Sequence, residues 1–592
     1  MISRVSRTFA ANRLVIATGF LNLLLTVALI PVGIFPNAFD KNASVQFVML
    51  AIVAVIFGAL IIKRRSHFVF SGKVIWALWI TFFSLILSAI FSPDFIGSMT
   101  GDTGRFTGAI SAFCLLIVAI FHAGFTLEQF KRLVWLYIGV VVVTQIIGVL
   151  HDQMIFDLPG EAGMVSTFGN LDFFSAYLGT TFPLLVYLFI SASRKRRAVL
   201  VVVALGSIYC LSQAGALQGF VDLGVMTILI LLFFISRFLP QRLKDFISDL
   251  TLNAKTFALT LIVIIWAEAI FLMPFIGKDI PVLGNDVQVQ IRGEFWLAGI
   301  SQFGSSPLFG VGPDQYGNYY ESYRTLDSAQ NLQTVLANDA HSAPVQTVAT
   351  LGFVGVFAFV LLLAFLVRAA ILAAEKYPDK RREFAAIGLF LIVYFTNAAV
   401  SPITLPNKYL FWAAAGFIVG LAYRSEGAPK KSLQAFVGVT VALTLFITSN
   451  FAFAQLRYLN WIDEFATNNA SKVIAVEYSR YIPCAMYYDS LAKIINNQGN
   501  EALEKFSRAQ IAGNERCVNA QVNMAKLSYN KGDITGMRQY VYALTEMAPS
   551  REEVLFVARA YAIKADDKAL MAKVDSQSAK LGIITIPVDP EK

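Results

Sequence analysis

Long apolar runs alternate with short polar breaks from residue 14 to residue 454. A bilayer core of about 30 Å takes roughly 20 apolar residues in helical form. At that length the pattern predicts about thirteen spans, at 14–34, 45–62, 74–91, 108–125, 133–150, 172–192, 198–213, 216–236, 256–275, 345–372, 384–400, 405–423 and 434–454. Within 237–249, Phe238, Leu243, Phe246, Ile247 and the adjoining Leu250 recur at helical spacing, which predicts an interfacial connecting helix. The fold class that follows is all-α, a polytopic membrane bundle over residues 1–454.

Beyond residue 455 the composition shifts to Lys, Glu, Asn and Ala. Gly499, Gly532 and Ala565 recur every 33 residues, and Ala520–Pro549 reads as helix, Gly-Asp turn, helix and closing proline. This resembles a tetratricopeptide hairpin, whose period is about 34 residues. A hairpin of this kind buries its apolar face only by stacking on the next, so residues 455–592 are predicted to form an α-helical repeat domain able to bind a protein partner. Cys484 and Cys517 are also 33 apart. If they sit at equivalent points on packed helices about 8–10 Å apart, they are too distant for a bridge, which needs Cα atoms within about 7 Å. Free thiols are the expectation.

Of the 592 residues, 56% are hydrophobic and 15% charged, with mean hydropathy +0.62. Soluble domains carry about 25% charged residues, so the balance excludes an ordinary soluble enzyme and a disordered chain. The net charge of +9 does not point to nucleic acid, because its cations sit in particular inter-span loops. Arg4, Arg7 and Arg13 precede the first span. Lys63–Arg65, Lys131–Arg132, Arg194–Arg197, Arg237–Lys244, Lys376–Arg382 and Arg424–Lys431 follow the even-numbered ones. All fall on one side of a thirteen-span chain, which the positive-inside rule makes cytoplasmic. The N-terminus is then inside, with its first apolar stretch read as a retained helix, and the repeat domain lies outside. The expected location is the bacterial cytoplasmic membrane.

The longest polar insertion among the spans is the outside loop of 276–343. Long loops without regular structure are usually functional. Its only cations are Lys278, Arg292 and Arg324, and its one histidine, His341, stands where the next span begins. Cys114, Cys210, Cys484 and Cys517 form no CxxC pair and histidine is scarce, so no metal cluster is expected.

Arg292, Trp296, Pro307, Gly310, Gly312 and Tyr316, then His341 with Gly352 and Gly355 at +11 and +14, form a pattern that resembles the O-antigen ligase and polymerase superfamily. Gly104-Arg105-Phe106 and Gly169-Asn170-Leu171-Asp172-Phe173 add to the likeness. The pattern departs at Ser342 and Thr350, where the family carries Asn and Glu. It also lacks an arginine after span seven, where Gln213 and Gln218 stand instead. The resemblance implies a GT-C-like membrane glycosyltransferase without cofactor or metal. Such an enzyme moves a glycan from an undecaprenyl-diphosphate carrier to an acceptor hydroxyl at the outer face. It implies catalytic roles for His341 and Arg292, and substrate-binding roles for Arg105, Arg324, Gln213, Gln218 and Tyr316. Histidine suits proton transfer near neutral pH, and arginine offers a planar fork matched to phosphate.

Other readings remain open on the residues alone. His341 serves equally as a helix cap, and Arg292 as a partner of Glu294 or Asp286. His151 reads as an ordinary loop residue, Asp222 and Glu268 as interhelical hydrogen-bonding groups, and Gly352 with Gly355 as a close-packing pair. The acceptor is a lipid core, a glycan, a cell-wall polymer or a protein, which leaves ligase, polymerase and protein O-oligosaccharyltransferase side by side. A flippase or transporter would show broken helices and internal repeats. A non-enzymatic scaffold would leave the His/Arg loop without a purpose.

Overall fold

The computed structural model describes residues 2–466, apart from 28–42, 66–67, 103, 156–157, 159–160, 277–286, 333–334, 426–427 and 429, together with residues 500–583. The predicted spans fall on helices: α1 (Ile2–Val27), α2 (Ala43–Lys63), α3 (Gly72–Ile90), α5 (Ala109–His122) and α6 (Leu127–Asp152), with the short α4 (Phe95–Thr100) between α3 and α5. The series continues with α7 (Leu171–Ser191), α8 (Arg194–Ala214), α9 (Leu217–Ile235), the short α10 (Gln241–Asp249) and α11 (Leu252–Ile276). After the loop come α15 (Ala343–Lys376), α16 (Arg381–Val400), α17 (Leu405–Tyr423) and α18 (Lys431–Ala466). Among the described residues ten helices are long and apolar enough to cross a membrane, α17 not being one of them, and Arg13–Val27 and Ala109–His122 are shorter apolar helices. The chain is an all-α, multi-pass membrane protein.

The basic loops gather at one end of the bundle. Phe70 and Arg424 form an isolated bridge, Arg424 donates to Phe125 O at 3.1 Å and to Ala123 O, and Lys376 donates to Leu421 O at 3.2 Å. The opposite end collects α4, the beginnings of α5, α15 and α17, and the end of α16. Helices α8, α9 and α11 turn apolar side chains such as Val202, Leu205, Phe233, Phe257 and Ile262 outward. That is the face a hydrocarbon solvent requires. Asp222 on α9 is buried and accepts from Asn397 Nδ2 at 3.0 Å, the interhelical hydrogen bond expected of it.

The loop of 276–343 is not irregular. It holds α12 (Val287–Ser305), α13 (Tyr316–Tyr323) and α14 (Leu326–Asn331). Phe295, Trp296, Ala298, Gly299 and Gln302 form a buried stripe at helical spacing on α12, a periodicity masked by the polar residues between them.

Gly352 also departs from expectation. Rather than closing a helix pair, it breaks α15 with φ +60° and ψ −161°. A break at membrane depth frees carbonyls that lipid cannot satisfy. The glycine loop supplies the partners: Val311 N donates to Ala349 O (3.1 Å), Gly312 N to Thr350 O (3.0 Å) and Phe353 N to Pro307 O (2.8 Å). Ser88 Oγ adds a second donor to Thr350 O at 2.9 Å. Gly310 and Gly312 have φ +69° and +113°, and a Cβ on Gly310 would lie 2.2 Å from Thr350 C. The glycines of the motif stitch the loop onto the broken helix.

The tail forms successive helical hairpins: α19 (Asn500–Gly513), α20 (Val518–Asn530), α21 (Ile534–Met547), α22 (Glu552–Lys564) and α23 (Lys568–Lys580). Val518 to Glu552 and Ile534 to Lys568 are each 34 residues, not 33. Asp533 and Asp567 cap equivalent helices, accepting from Gly536 N and Leu570 N. The left-handed turn of Gly532 (φ +71°) is therefore matched by Asp566 (φ +47°), not Ala565. Gly499 and Cys484 lie outside the described residues. Cys517 is disulfide-bonded, against the expectation of free thiols. It stands at the N-cap of α20, where the spacing of packed helix interiors does not apply, and the true period removes the equivalence with a residue 33 away.

Candidate active site

The site is assembled by one strained stretch of backbone meeting another. His341 has φ +53° and Asp314 has φ +60°, a region that residues other than glycine enter at a cost of about 1–3 kcal/mol and that clusters at functional sites. Asp314, in the glycine loop, is buried. Its Oδ2 accepts from Asp102 N and Thr107 N, both at 2.9 Å. That double hydrogen bond pins Asp102 and Thr107, which flank Arg105 in the chain.

Arg105 then reaches the stretch before α15. Its Nη1 lies 2.8 Å from Asp339 Oδ2, and Nη2 donates to Asn338 Oδ1 at 2.7 Å. The side chains of Arg105 and Asp339 are only 12% and 11% exposed. Asp339 Oδ1 accepts from His341 N at 2.6 Å, and His341 Nδ1 lies 3.0 Å from Asp339 O. With Nδ1–H donating to that carbonyl, Nε2 keeps the lone pair. The imidazole packs against Phe295, with ring centroids 5.1 Å apart.

Burial first, and next the Arg105 charge, push the His341 imidazole down to about 4, with Asp339 opposing and Arg292 adding a smaller push downward. The ring is neutral at pH 7. Burial pushes the Asp339 carboxyl up, but the charges of Arg105 and His341 and their hydrogen bonds outweigh it, so it ionises below the usual range. Burial, followed by the Asp339 charge, raises Asp314.

Arg292, on the first turns of α12, points to the end of α16: Nε donates to Val400 O at 2.9 Å and Nη1 to Gln288 O at 2.9 Å. Glu294 accepts instead from Thr325 Oγ1, and Asp286 lies outside the described residues. Its charge still acts on His341. His341, Arg292 and Arg105 are thus brought to one place.

The other predicted substrate residues stand elsewhere. The Tyr316 hydroxyl is fully buried and donates to Phe295 O at 2.7 Å, fastening α13 to α12. Arg324 is taken by the repeat domain, donating to Ser550 Oγ at 2.6 Å and Ser550 O at 3.0 Å. Gln213 is exposed near the end of α8, and Gln218 is buried in the first turn of α9. Among the described residues no contact joins either glutamine to the Arg105–Asp339–His341 group. Asn170 caps α7 by accepting from Phe173 N at 3.1 Å, and His151 stands in the last turn of α6 rather than in a loop, accepting from Leu158 N at 3.3 Å.

Sequence reasoning missed Asp339, Asn338, Asp314 and Lys408. Asp339 stands two residues before His341 and Asp314 inside the glycine motif, so proximity to the motif was an available signal. Lys408 is a cation inside the predicted span 405–423, which is itself grounds for a functional reading.

A neutral imidazole and two guanidinium groups thus meet at one end of the helical bundle. Residues 175–360, which contain Arg292 and His341, match the model of the O-antigen ligase family. The match supports the O-antigen ligase superfamily and an O-antigen ligase-like membrane enzyme. No match was found among curated proteins.

Proposed function

We propose that the protein transfers a glycan from an undecaprenyl-diphosphate carrier to an acceptor hydroxyl at the outer face of the cytoplasmic membrane. The observation that carries this reading is the convergence of His341 with two guanidinium groups, Arg105 and Arg292, at the end of the bundle away from the basic loops. Arg105 and Arg292 receive the diphosphate. The acceptor oxygen attacks the anomeric carbon, the bond from that carbon to the phosphate oxygen breaks, and the electron pair leaves on the carrier diphosphate. His341 Nε2 takes the hydroxyl proton. An imidazole near 4 is a weak base, but a bound diphosphate offsets the cationic charge that holds it down, raising its basicity when donor is present. A positioned general base contributes about 10²–10⁴-fold.

The repeat domain supports a macromolecular acceptor. It docks on α13 in the loop that carries the site: Arg551 makes a fork on Glu321 (2.9 and 2.6 Å), and Arg516 donates to Asn318 O (3.0 Å) and lies 4.0 Å from the Tyr319 ring centroid. A glycan, lipid-core or protein acceptor held by such a domain reaches the same hydroxyl chemistry, so ligase, polymerase and protein-transferase outcomes share one mechanism.

The test is transfer from a defined lipid-linked glycan by the purified protein in nanodiscs. His341→Ala is expected to lose most turnover while retaining donor binding, and transfer is expected to survive EDTA. Wild-type turnover by His341→Ala would overturn the mechanism.

A further inference from the structure

Below the site, an apolar groove opens between α3, α5, α15, α16 and α17. On α17 its lining is Phe411, Trp412, Ala415, Gly416 and Val419, which lie on one helical face at spacings of three and four. One turn earlier on that face is Lys408. Phe411 and Ala343 both pack on the small cluster of Tyr394, Ala398 and Ile403. That cluster therefore touches both the groove's Phe411 and Ala343, the first residue of α15, two positions after His341.

Lys408 is half-buried, and among the described residues its Nζ has no hydrogen bond or ion pair. The charges of Asp314, Asp339 and Arg105 all act on it. The other cations are partly spent: Arg105 on Asp339 and Asn338, and Arg292 on Val400 O and Gln288 O. A lysine beside the charged cluster at the head of an apolar trough fits an amphiphile with an anionic head.

We propose that Lys408, at the head of this groove, is a phosphate-binding residue, so that a polyprenyl diphosphate lies with its hydrocarbon chain along the α17 face and its diphosphate between Lys408 and Arg105. This rests on the lipid-linked donor of the proposed function and adds a residue and a seat for the lipid. The groove alone would take any acyl chain. The cation at its head selects a phosphate head, and a diphosphate held there leaves the anomeric carbon open to the acceptor hydroxyl that His341 deprotonates.

The test is binding to the full-length protein in nanodiscs of neutral lipid, with undecaprenyl diphosphate, farnesyl diphosphate, inorganic diphosphate and phosphatidylglycerol as probes. Wild-type affinity is expected to rise from inorganic to farnesyl to undecaprenyl diphosphate. Lys408→Met and Lys408→Gln are expected to weaken undecaprenyl diphosphate by about 10- to 100-fold, as loss of a charged hydrogen bond does, with Lys408→Arg restoring most of it. Melting temperature reports folding of each variant. If one neutral variant fails to fold, the other and the Arg variant still decide. Unchanged affinity in a folded neutral variant overturns the role of Lys408 and leaves the proposed function standing. An equal Lys408 dependence for phosphatidylglycerol overturns the diphosphate assignment. A wild-type protein that binds no polyprenyl diphosphate overturns the proposed donor and this inference together.

Discussion

Arg105 reaches across 233 residues of chain to donate to Asn338 at 2.7 Å, while its other terminal nitrogen meets Asp339 at 2.8 Å. One guanidinium thus ties the turn before α5 to the residues that carry His341. The pair orients the base from below and keeps a cation beside it. Arg105 is therefore a structural tie as well as a proposed phosphate-binding residue, and the two roles separate experimentally.

Removing one partner of a largely buried ion pair strands the other charge and costs about 3–5 kcal/mol. Arg105→Ala is expected to lower the melting temperature and abolish transfer. The double variant Arg105→Met with Asp339→Leu should recover most of the melting temperature, because no lone charge is left buried, yet stay inactive. Thermal unfolding in parallel with transfer assays checks both halves. Recovery of activity in the double variant would remove Arg105 from the chemistry.

The imidazole of His341 is held down to about 4, so in the free enzyme it is neutral throughout the neutral range. Turnover per free enzyme and donor should stay flat on acidification until pH approaches about 4, then fall as the ring is protonated. Arg105→Gln removes the charge named after burial as a cause of the shift, so it should move the inflection to higher pH. Diethyl pyrocarbonate labelling of His341 against pH, read by mass spectrometry, measures this without turnover. The sign for stability is the same: the unfolded ring, near 6.5, binds protons that the folded ring refuses, so folding stability drops as pH falls from about 6.5 towards 4.

Gly352→Ala places a Cβ 2.6 Å from Gly310 N and Leu308 C on a backbone with φ +60°. Neither neighbour is a flexible side chain, so the break in α15 and the glycine loop must shift together. The variant should lose about 1–3 kcal/mol from the strained conformation alone, and most activity. Gly438→Ala, where an added Cβ meets nothing within 4 Å, serves as the control. Equal melting temperatures for the two would contradict the account of the kink.

Glu321→Lys should loosen the repeat domain by repelling Arg551, whose fork on Glu321 measures 2.9 and 2.6 Å. Glu321→Lys with Arg551→Glu should restore docking in part. A cysteine pair at Ser322 and Met547, where the Ser322 hydroxyl donates to Met547 O at 2.6 Å, reports docking as crosslinking yield. If the charge reversal leaves that yield unchanged, the arginine contacts do not hold the domain.

Much of this protein is legible without coordinates. Apolar runs of span length decide the helices, because a chain in hydrocarbon has few other ways to satisfy its backbone. The basic residues of 63–65, 194–197 and 376–382 mark one side. The spacing from Arg292 through Gly310 and Gly312 to His341 marks the site. These features are local, or set by the solvent, so residue order suffices. The ion pair of Arg105 with Asp339, the pinning of its turn by Asp314 and the place of Lys408 below His341 depend on which spans stand side by side. Thirteen similar apolar stretches do not encode that order in their periodicity. Nor does glycine spacing separate a packing face from the helix break at Gly352, which is made tolerable by donors from Val311, Gly312 and Ser88 and by the Pro307 carbonyl. Side-chain complementarity across the assembled bundle decided those matters, because it acts only between elements that are already neighbours.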